Sequence, residues 1–436
     1  MDYQQYVDFD KGLVDRRIFT DQEIFDLEME RIFARAWNFV VHESQIPNVG
    51  DYFMNQIGSD RVIAVRNKQK EVSVLVNSCT HRGNAVCRAE QGNTRTFLCP
   101  YHGWSFGLDG ALVGVPGLKD FYRGGLDKEK LGLDQAAQVA SYKGFVFATM
   151  DPDAVPLEEY LGDVGRVGLS LVAKNGDVEV VDGIQKNVVG CNWKLAVDNL
   201  YDWYHPPISH KSGVLSDYAP VFRDPDVFKP HKQMVMLGEY GHGIGGPHWT
   251  ADEVEQFMQP DAELDPTFAP RLDPALSSEM GEVGIRSNGH PNLFPNLWVT
   301  LGGMQVCLRI PKDPLHTELW WFTFVPKDAP DEIRKMIVGF TTHTFGPAGL
   351  IEQDDGENWE QCTRGSLGVV NRRRRHHMAM GLGKDEVLED GGQARVETVV
   401  NEHGQRWTYQ AWADWMSAKD WPELKAQHTP VPRGTI

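Results

Sequence analysis

Two cysteines and two histidines stand in matched pairs in the first quarter of the chain. Cys79-Thr80-His81 gives a C-x-H pattern and Cys99-Pro100-Tyr101-His102 a C-x2-H pattern, with the 17 residues 82–98 between them. Each half offers one thiolate and one imidazole. If the two loops face each other, the thiolates can hold one iron and the imidazoles the other iron of a [2Fe–2S] cluster, the Rieske arrangement. Neutral imidazoles make such a cluster less negative, which raises its reduction potential, and they leave the outer ring nitrogens free to bond or titrate. Gly83 and Gly103 follow the two pairs and suit tight loops. A structural zinc site also draws on Cys and His, but the single residue between Cys79 and His81 is shorter than the usual zinc spacing of about two to four.

A second constellation lies in the segment 192–210. Its useful spacings are Asp202 to His205 and His205 to His210, and Pro206-Pro207 follows the first histidine. At about 100° per residue, Asp202 and His205 would share a helix face. The prolines are expected to break that helix near His205, letting His210 swing back. Two histidines and a carboxylate form a facial triad for non-haem Fe(II), with positions left open for dioxygen. The acid must come from elsewhere in the chain. Glu352, Asp354, Asp355 and Glu357 crowd into six residues, and taken alone they read as a solvated helix face.

These groups need elements to position them. Thr20-Asp21-Gln22-Glu23 reads as a capping box, with Phe25, Met29, Ile32, Phe33 and Ala36 at helical spacing after it. From about Ile46 to Met150 short β-branched runs such as 61–65 and 71–76 predict a small all-β unit. The proline-bearing stretch 151–156 reads as its boundary. Between Gly238 and Leu276 the sequence is dense in Gly and Pro, including Gly241, Gly243, Gly245, Gly246, Pro247, Pro260, Pro266 and Pro270, which predicts long loops. Strand texture returns over 297–309 and 318–325, and a last helix over 405–418 carries Trp407, Ala411, Trp412, Trp415 and Met416 as a one-sided core stripe.

The 436 residues carry 43 basic and 61 acidic side chains, a net charge of −18, which argues against a nucleic-acid or anionic-lipid surface. No apolar run of about 18 residues or secretory leader is visible, so a cytoplasmic protein with no membrane partner is expected. Six cysteines are too few for a disulfide framework; Cys87, Cys191, Cys307 and Cys362 are expected as buried thiols. No Arg or Lys stands out as buried. The run Arg372-Arg373-Arg374-Arg375 reads as a solvated face or an intersubunit salt-bridge patch, with docking of an acidic protein partner as the alternative.

With the cluster loops, the histidine pair and the acidic run in this order, the chain resembles the large α subunit of Rieske non-haem iron aromatic ring-hydroxylating dioxygenases. The resemblance covers nearly the whole length. It implies an α+β fold in which a small all-β Rieske domain is inserted near the N-terminus of a helix-grip catalytic domain, antiparallel sheet plus helices. The divisions are 1–38 and 156–436 for the catalytic part and 39–155 for the Rieske domain. It implies that Cys79, His81, Cys99 and His102 hold the [2Fe–2S] cluster and that His205, His210 and Asp355 hold mononuclear Fe(II), with Asp354 the alternative acid. Asp202 would relay electrons from the His102 side of a neighbouring subunit, and Asn199 would lie near the iron. His290, Asn292, Phe345 and Ile351 would wall the substrate pocket. The Pro206-Pro207 pair departs from the family pattern.

The implied reaction inserts both atoms of O2 into an aromatic ring to give a cis-dihydrodiol, with electrons from NAD(P)H through a reductase and usually a ferredoxin. The implied assembly is an α3 ring or α3β3 with a small β subunit. A Rieske monooxygenase or demethylase acting on an aromatic acid is the alternative within enzymes, and an electron carrier or zinc-binding module the alternative outside them. Metal analysis of the purified protein is expected to give about three iron atoms per chain with a Rieske spectrum. About two would leave only the carrier, and zinc alone would exclude both iron readings.

Overall fold

The computed structural model describes residues 2–174, 176–218, 232–259, 262, 268–390, 392–428 and 433–436. The chain divides into two units: Phe33–Leu157, and Met1–Ile32 joined with Glu158–Ile436.

The unit Phe33–Leu157 is built on short antiparallel sheets. Asp60–Arg66 sits between Val72–Val76 and Asp51–Ile57, with Gln91–Asn93 on the far edge. A second sheet pairs Phe145–Thr149 with both Gln138–Tyr142 and Asn38–His42. The texture change near Ile46 therefore misses one strand, because Asn38–His42 is buried at every position and carries no period-2 signal. A third, very small sheet of Phe97–Leu98, Ser105–Phe106 and Leu112–Gly114 supports the second cysteine loop. Cys79 and Cys99 belong to the unit's core together with Ile63, Leu75, Trp104 and Phe106.

The other unit begins with helix α1 (Gln22–Glu28), whose N-cap is Asp21 and not Thr20: the Asp21 carboxylate accepts from the N–H groups of Glu23 and Ile24. The apolar spacing beyond it runs into a π-turn over Met29–Phe33. Nine strands described in this unit form one antiparallel sheet and are numbered here: β1 (Val178–Val180), β2 (Gln185–Val189), β3 (Gln233–Leu237), β4 (Gly243–Gly246), β5 (His290–Leu293), β6 (Leu297–Val299), β7 (Gln305–Asp313), β8 (His316–Pro326) and β9 (Arg395–Thr398). Their order is β1-β8-β7-β6-β5-β4-β3-β9, with β2 also on β8. The run expected as one strand over 297–309 is two, split at Leu301–Gly303, where Gly302 and Gly303 take positive φ of 78° and 62°.

Three helices frame the sheet: α2 (Trp193–Asp198), α3 (Leu350–Leu367) and α4 (His403–Ser417). Helix α4 is not one-sided. Every residue except Gln410 and Ser417 is buried, the pattern of a helix gripped on all sides. Its tryptophans find acceptors: Trp407 Nε1 donates to Gly238 O at 2.8 Å and Trp415 Nε1 to Tyr240 O at 3.1 Å.

The tightest link between elements is Glu28, which is fully buried. Its Oε1 accepts from Lys194 Nζ at 2.6 Å and Trp412 Nε1 at 2.7 Å, and Oε2 accepts from Trp193 Nε1 at 2.8 Å. One carboxylate thus joins α1, α2 and α4. Removing one partner of a buried charge pair costs about 3–5 kcal/mol, because the other charge stays buried and unpaired. Glu28→Ala is expected to destabilise this unit by that amount in chemical denaturation followed by tryptophan fluorescence. All of the chain's 13 tryptophans except Trp37 and Trp104 lie in this unit.

Candidate metal centres and substrate pocket

The two cysteine loops share one hydrogen-bond frame. Cys79 N–H donates to Asn84 O at 2.9 Å while Gly83 N–H donates back to Cys79 O at 2.7 Å; Cys99 N–H donates to Trp104 O at 2.8 Å while Gly103 N–H donates to Cys99 O at 3.0 Å. Gly83 and Gly103 close the frames with φ of 71° and 73°, a conformation that favours glycine. The imidazoles of His81 and His102 stand 4.6 Å apart, and His81 stacks on Trp104 at 4.8 Å and 8°. His81 Nδ1 is buried and has no hydrogen-bond partner among the described residues. Two buried thiols and two imidazoles in twin loops, one ring nitrogen left unmatched, fit the ligation of a [2Fe–2S] cluster.

The mononuclear site hangs from α2. The helix gives way to a 3-10 turn over Asn199–Tyr201, and Asp202 leaves helical geometry altogether (φ −91°, ψ 81°). The break thus comes three residues before His205, and Asp202 and His205 do not share a helix face. Their contact survives by another route: Asp202 Oδ1 accepts from the His205 N–H at 3.3 Å and lies 3.5 Å from its Nδ1. His205 itself is helical despite the proline after it (φ −74°, ψ −31°). Pro206 and Pro207 occupy the first positions of a new turn, Pro206–Ser209, where a missing N–H is harmless. The His205 carbonyl accepts from Ile208 and Ser209, both at 2.8 Å, so one helical turn separates the two histidines.

Asp355 comes from the second turn of α3. Its Oδ1 lies 3.4 Å from His205 Nε2 and 3.7 Å from His210 Nε2, and one ligand atom from each of the three residues falls within 4.8 Å of the others. Each imidazole also meets a second carboxylate at Nδ1: Asp202 for His205, and Asp354, at 3.6 Å, for His210. Asp354 Oδ2 also accepts from Ser212 Oγ at 2.6 Å, and Asp354 is not one of the three residues whose ligand atoms cluster. Carboxylates behind ligating imidazoles orient the rings and raise their basicity. Burial disfavours a charged His205, yet Asp202 and Asp355 outweigh it and lift its pKa to about 10. A site this demanding of positive charge, with Asp355 Oδ1 buried and without a hydrogen-bond partner among the described residues, suits a divalent cation.

The segment carrying these ligands sits on glycine. A Cβ at Gly243 would meet Tyr201 Oη at 2.8 Å, one at Gly245 would meet Tyr201 Cδ1 at 2.7 Å, and one at Gly404 would meet Tyr201 Cγ at 2.5 Å. A Cβ at Gly246 would strike Trp203 Nε1 at 2.6 Å, and that N–H donates to Gly245 O at 2.9 Å. The stretch expected as loop is therefore in part β4, an inner strand of the sheet, whose missing side chains admit the rings of Tyr201 and Trp203. Ala251–Phe257 is a helix, while Pro260 and Pro266 lie outside the described residues.

A cavity of about 430 Å³ opens on the three-residue cluster. His290, Phe345 and Ile351 line it, as does Asn199; Asn292 does not, being buried on β5 beside Gly243 and Trp298. The wall also contains Trp298 and Trp359, which sequence reasoning passed over. Trp359 was findable, since it is four residues after Asp355 on one helix face; Trp298 was hidden in a strand-like Leu-Trp-Val run. Trp298 meets Phe345 edge-on at 4.9 Å and His290 at 5.2 Å, and Phe345 stacks on Trp321 at 5.2 Å and 9°. Burial, with His205 and Arg309 adding to it, pushes His290 down to about 3, so its ring is neutral at ordinary pH. Elsewhere, Cys362 is exposed on the outer face of α3 and not buried. Arg372, Arg373 and Arg374 are exposed, while Arg375 pairs opposite Asp15.

Residues 170–418 match the family described as ring hydroxylating alpha subunit (catalytic domain), and residues 36–142 match the Rieske [2Fe-2S] domain. The biphenyl dioxygenase subunit alpha of Metapseudomonas furukawaii is 35% identical over 434 residues, covering 96% of this chain and 94% of the relative. The benzene 1,2-dioxygenase subunit alpha of Pseudomonas putida is 33% identical over 423 residues, covering 95% and 93%. Among solved structures, naphthalene 1,2-dioxygenase with indole bound superposes with a TM-score of 0.86 at 30% identity, covering 99% and 98%. The Rhodococcus sp. enzyme bound to indole gives 0.80 at 34%, covering 95% and 98%. The chain belongs to the ring-hydroxylating alpha-subunit family. Within it, the chain is an oxidoreductase of the aromatic ring-hydroxylating dioxygenase type, with a Rieske [2Fe–2S] cluster and a mononuclear iron as its cofactors. No helix among the described residues is long and apolar enough to cross a membrane.

Disturbing an outer support of a metal ligand typically weakens metal retention by about 10- to 100-fold. Gly245→Ala is expected to reduce retention of the mononuclear iron toward that range while the Rieske absorption stays intact, read by metal analysis after dialysis against a chelator.

Proposed function

We propose that this chain is the catalytic subunit that adds both atoms of O2 to one face of a neutral, apolar aromatic ring, giving a cis-dihydrodiol. The observation that carries the reading is the aromatic-walled cavity with His205, His210 and Asp355 in its wall and, among the described residues that line it, no Lys or Arg. When bound, the mononuclear iron supplies dioxygen binding and activation, and the cluster supplies electrons. His205, His210 and Asp355 would hold the first, and Cys79, His81, Cys99 and His102 the second.

The chain's own residues bind, orient and exclude water. Phe345, Trp298 and Ile351 present flat and aliphatic surfaces to the ring, and neutral His290 adds a polar edge without a charge. Asp202 borders both this cavity and an outer concavity of about 420 Å³ that also includes Tyr204, Glu402 and Arg375. That double position supports the relay role for Asp202 between His205 and the His102 side of a neighbouring subunit. The relatives' description as alpha subunits, and as the large oxygenase component of a system, supports an α3 or α3β3 assembly fed by a ferredoxin or an NAD(P)H-dependent reductase. The names of the relatives, which act on biphenyl, benzene and naphthalene, support a hydrocarbon substrate.

Turnover of naphthalene and biphenyl under labelled dioxygen, with a reductase and ferredoxin supplied, is expected to give cis-diols carrying both labels. A single label in the product would move the assignment to a monooxygenase. Asp355→Asn is expected to reduce diol formation to background while leaving the Rieske spectrum unchanged.

A further inference from the structure

Arg309, on β7, is fully buried, and none of its three guanidinium nitrogens has a hydrogen-bond partner among the described residues. A buried cation normally carries acceptors with it. Here the group it covers is the ring of Trp298, with the guanidinium carbon 4.8 Å from the ring centroid. The sheet register makes this contact. Trp298 on β6 pairs with Cys307 on β7, and Arg309, two residues further on, shares that face diagonally. Trp298 lines the cavity and Arg309 does not, so the indole stands between the cation and the substrate space.

We propose that Arg309, acting through Trp298, is a specificity-determining positioning residue that biases the pocket toward electron-rich arenes and against electron-poor ones. A cation over an aromatic ring draws π density toward itself. The part of the indole that faces the cavity is thereby left poorer in π density, and it attracts a π-rich ring more strongly than a nitro-substituted one. Phe345, His290 and Trp321 pack against the indole at roughly right angles, with ring centroids 4.9, 5.2 and 5.0 Å away, so the preference is not relaxed by rotation of Trp298. The inference rests on the arene-binding reading of this cavity.

The test measures binding of 1-methoxynaphthalene and 1-nitronaphthalene to the as-isolated, unreduced holoenzyme by equilibrium dialysis, where no turnover occurs. The natural protein is expected to favour the methoxy compound. Arg309→Met is expected to shrink the ratio of the two dissociation constants by about three- to tenfold, and Arg309→Lys to keep most of it. Trp298→Leu is expected to shrink it as Arg309→Met does, and it decides the matter if Arg309→Met does not fold. An unchanged ratio in Arg309→Met or Trp298→Leu would overturn the proposal, as would equal loss in Arg309→Lys, which would point to packing and not charge. Diol formation from naphthalene by the natural protein is scored separately: its absence, with the binding ratios as expected, overturns the dioxygenase reading and leaves this one standing.

Discussion

A buried carboxylate is tolerable only if its donors arrive together, and Glu28 imposes that condition on the catalytic unit. Lys194, Trp193 and Trp412 reach it from two elements far apart in sequence, so α1, α2 and α4 must be in place at once or a charge is left stranded. The first residue of α2 is one of these donors, and the segment that carries His205 and His210 begins where α2 ends. The position of His205 is therefore inherited from an ion pair on the other side of the core. The same logic recurs at smaller scale around the histidines, where Asp202, Asp354 and Asp355 fix two rings by surrounding them with acceptors.

Much of the site was legible because metal chemistry restricts residue type and spacing. The cysteine and histidine pairs, the two histidines of 205–210 and the acidic run could be picked out before any fold was known, and the glycines after the cysteine loops do take the left-handed conformation that a tight turn requires. What was not legible depends on partners distant in sequence. Gly243, Gly245 and Gly246 look like loop residues until Tyr201 and Trp203 are laid over them. Helix α4 showed an apolar stripe, and nothing local revealed that its polar face would be enclosed as well.

Local rules also failed where they competed. The preference of a residue before proline for extended backbone lost at His205 to the turn that Pro206 and Pro207 start, and the helical spacing of Asp202 and His205 suggested a true contact by a wrong geometry. Arg309 escaped notice because its strand neighbours read as an ordinary apolar run; only the register reveals what it faces.

That register has a further consequence. Gly243, Asn292, Trp298, Cys307, Trp321 and Gln185 are neighbours in succession across six strands, so the floor that receives Tyr201 and the Trp298 wall of the cavity are one row of the same sheet. Sliding any of these strands to enlarge the cavity would carry the support of Tyr201 and of the His205 segment with it. Divergence toward new substrates is thereby confined to exchanging side chains on a fixed backbone, at positions such as 298, 345, 351 and 359, which is a route open to single-nucleotide change and closed to insertion within the strands.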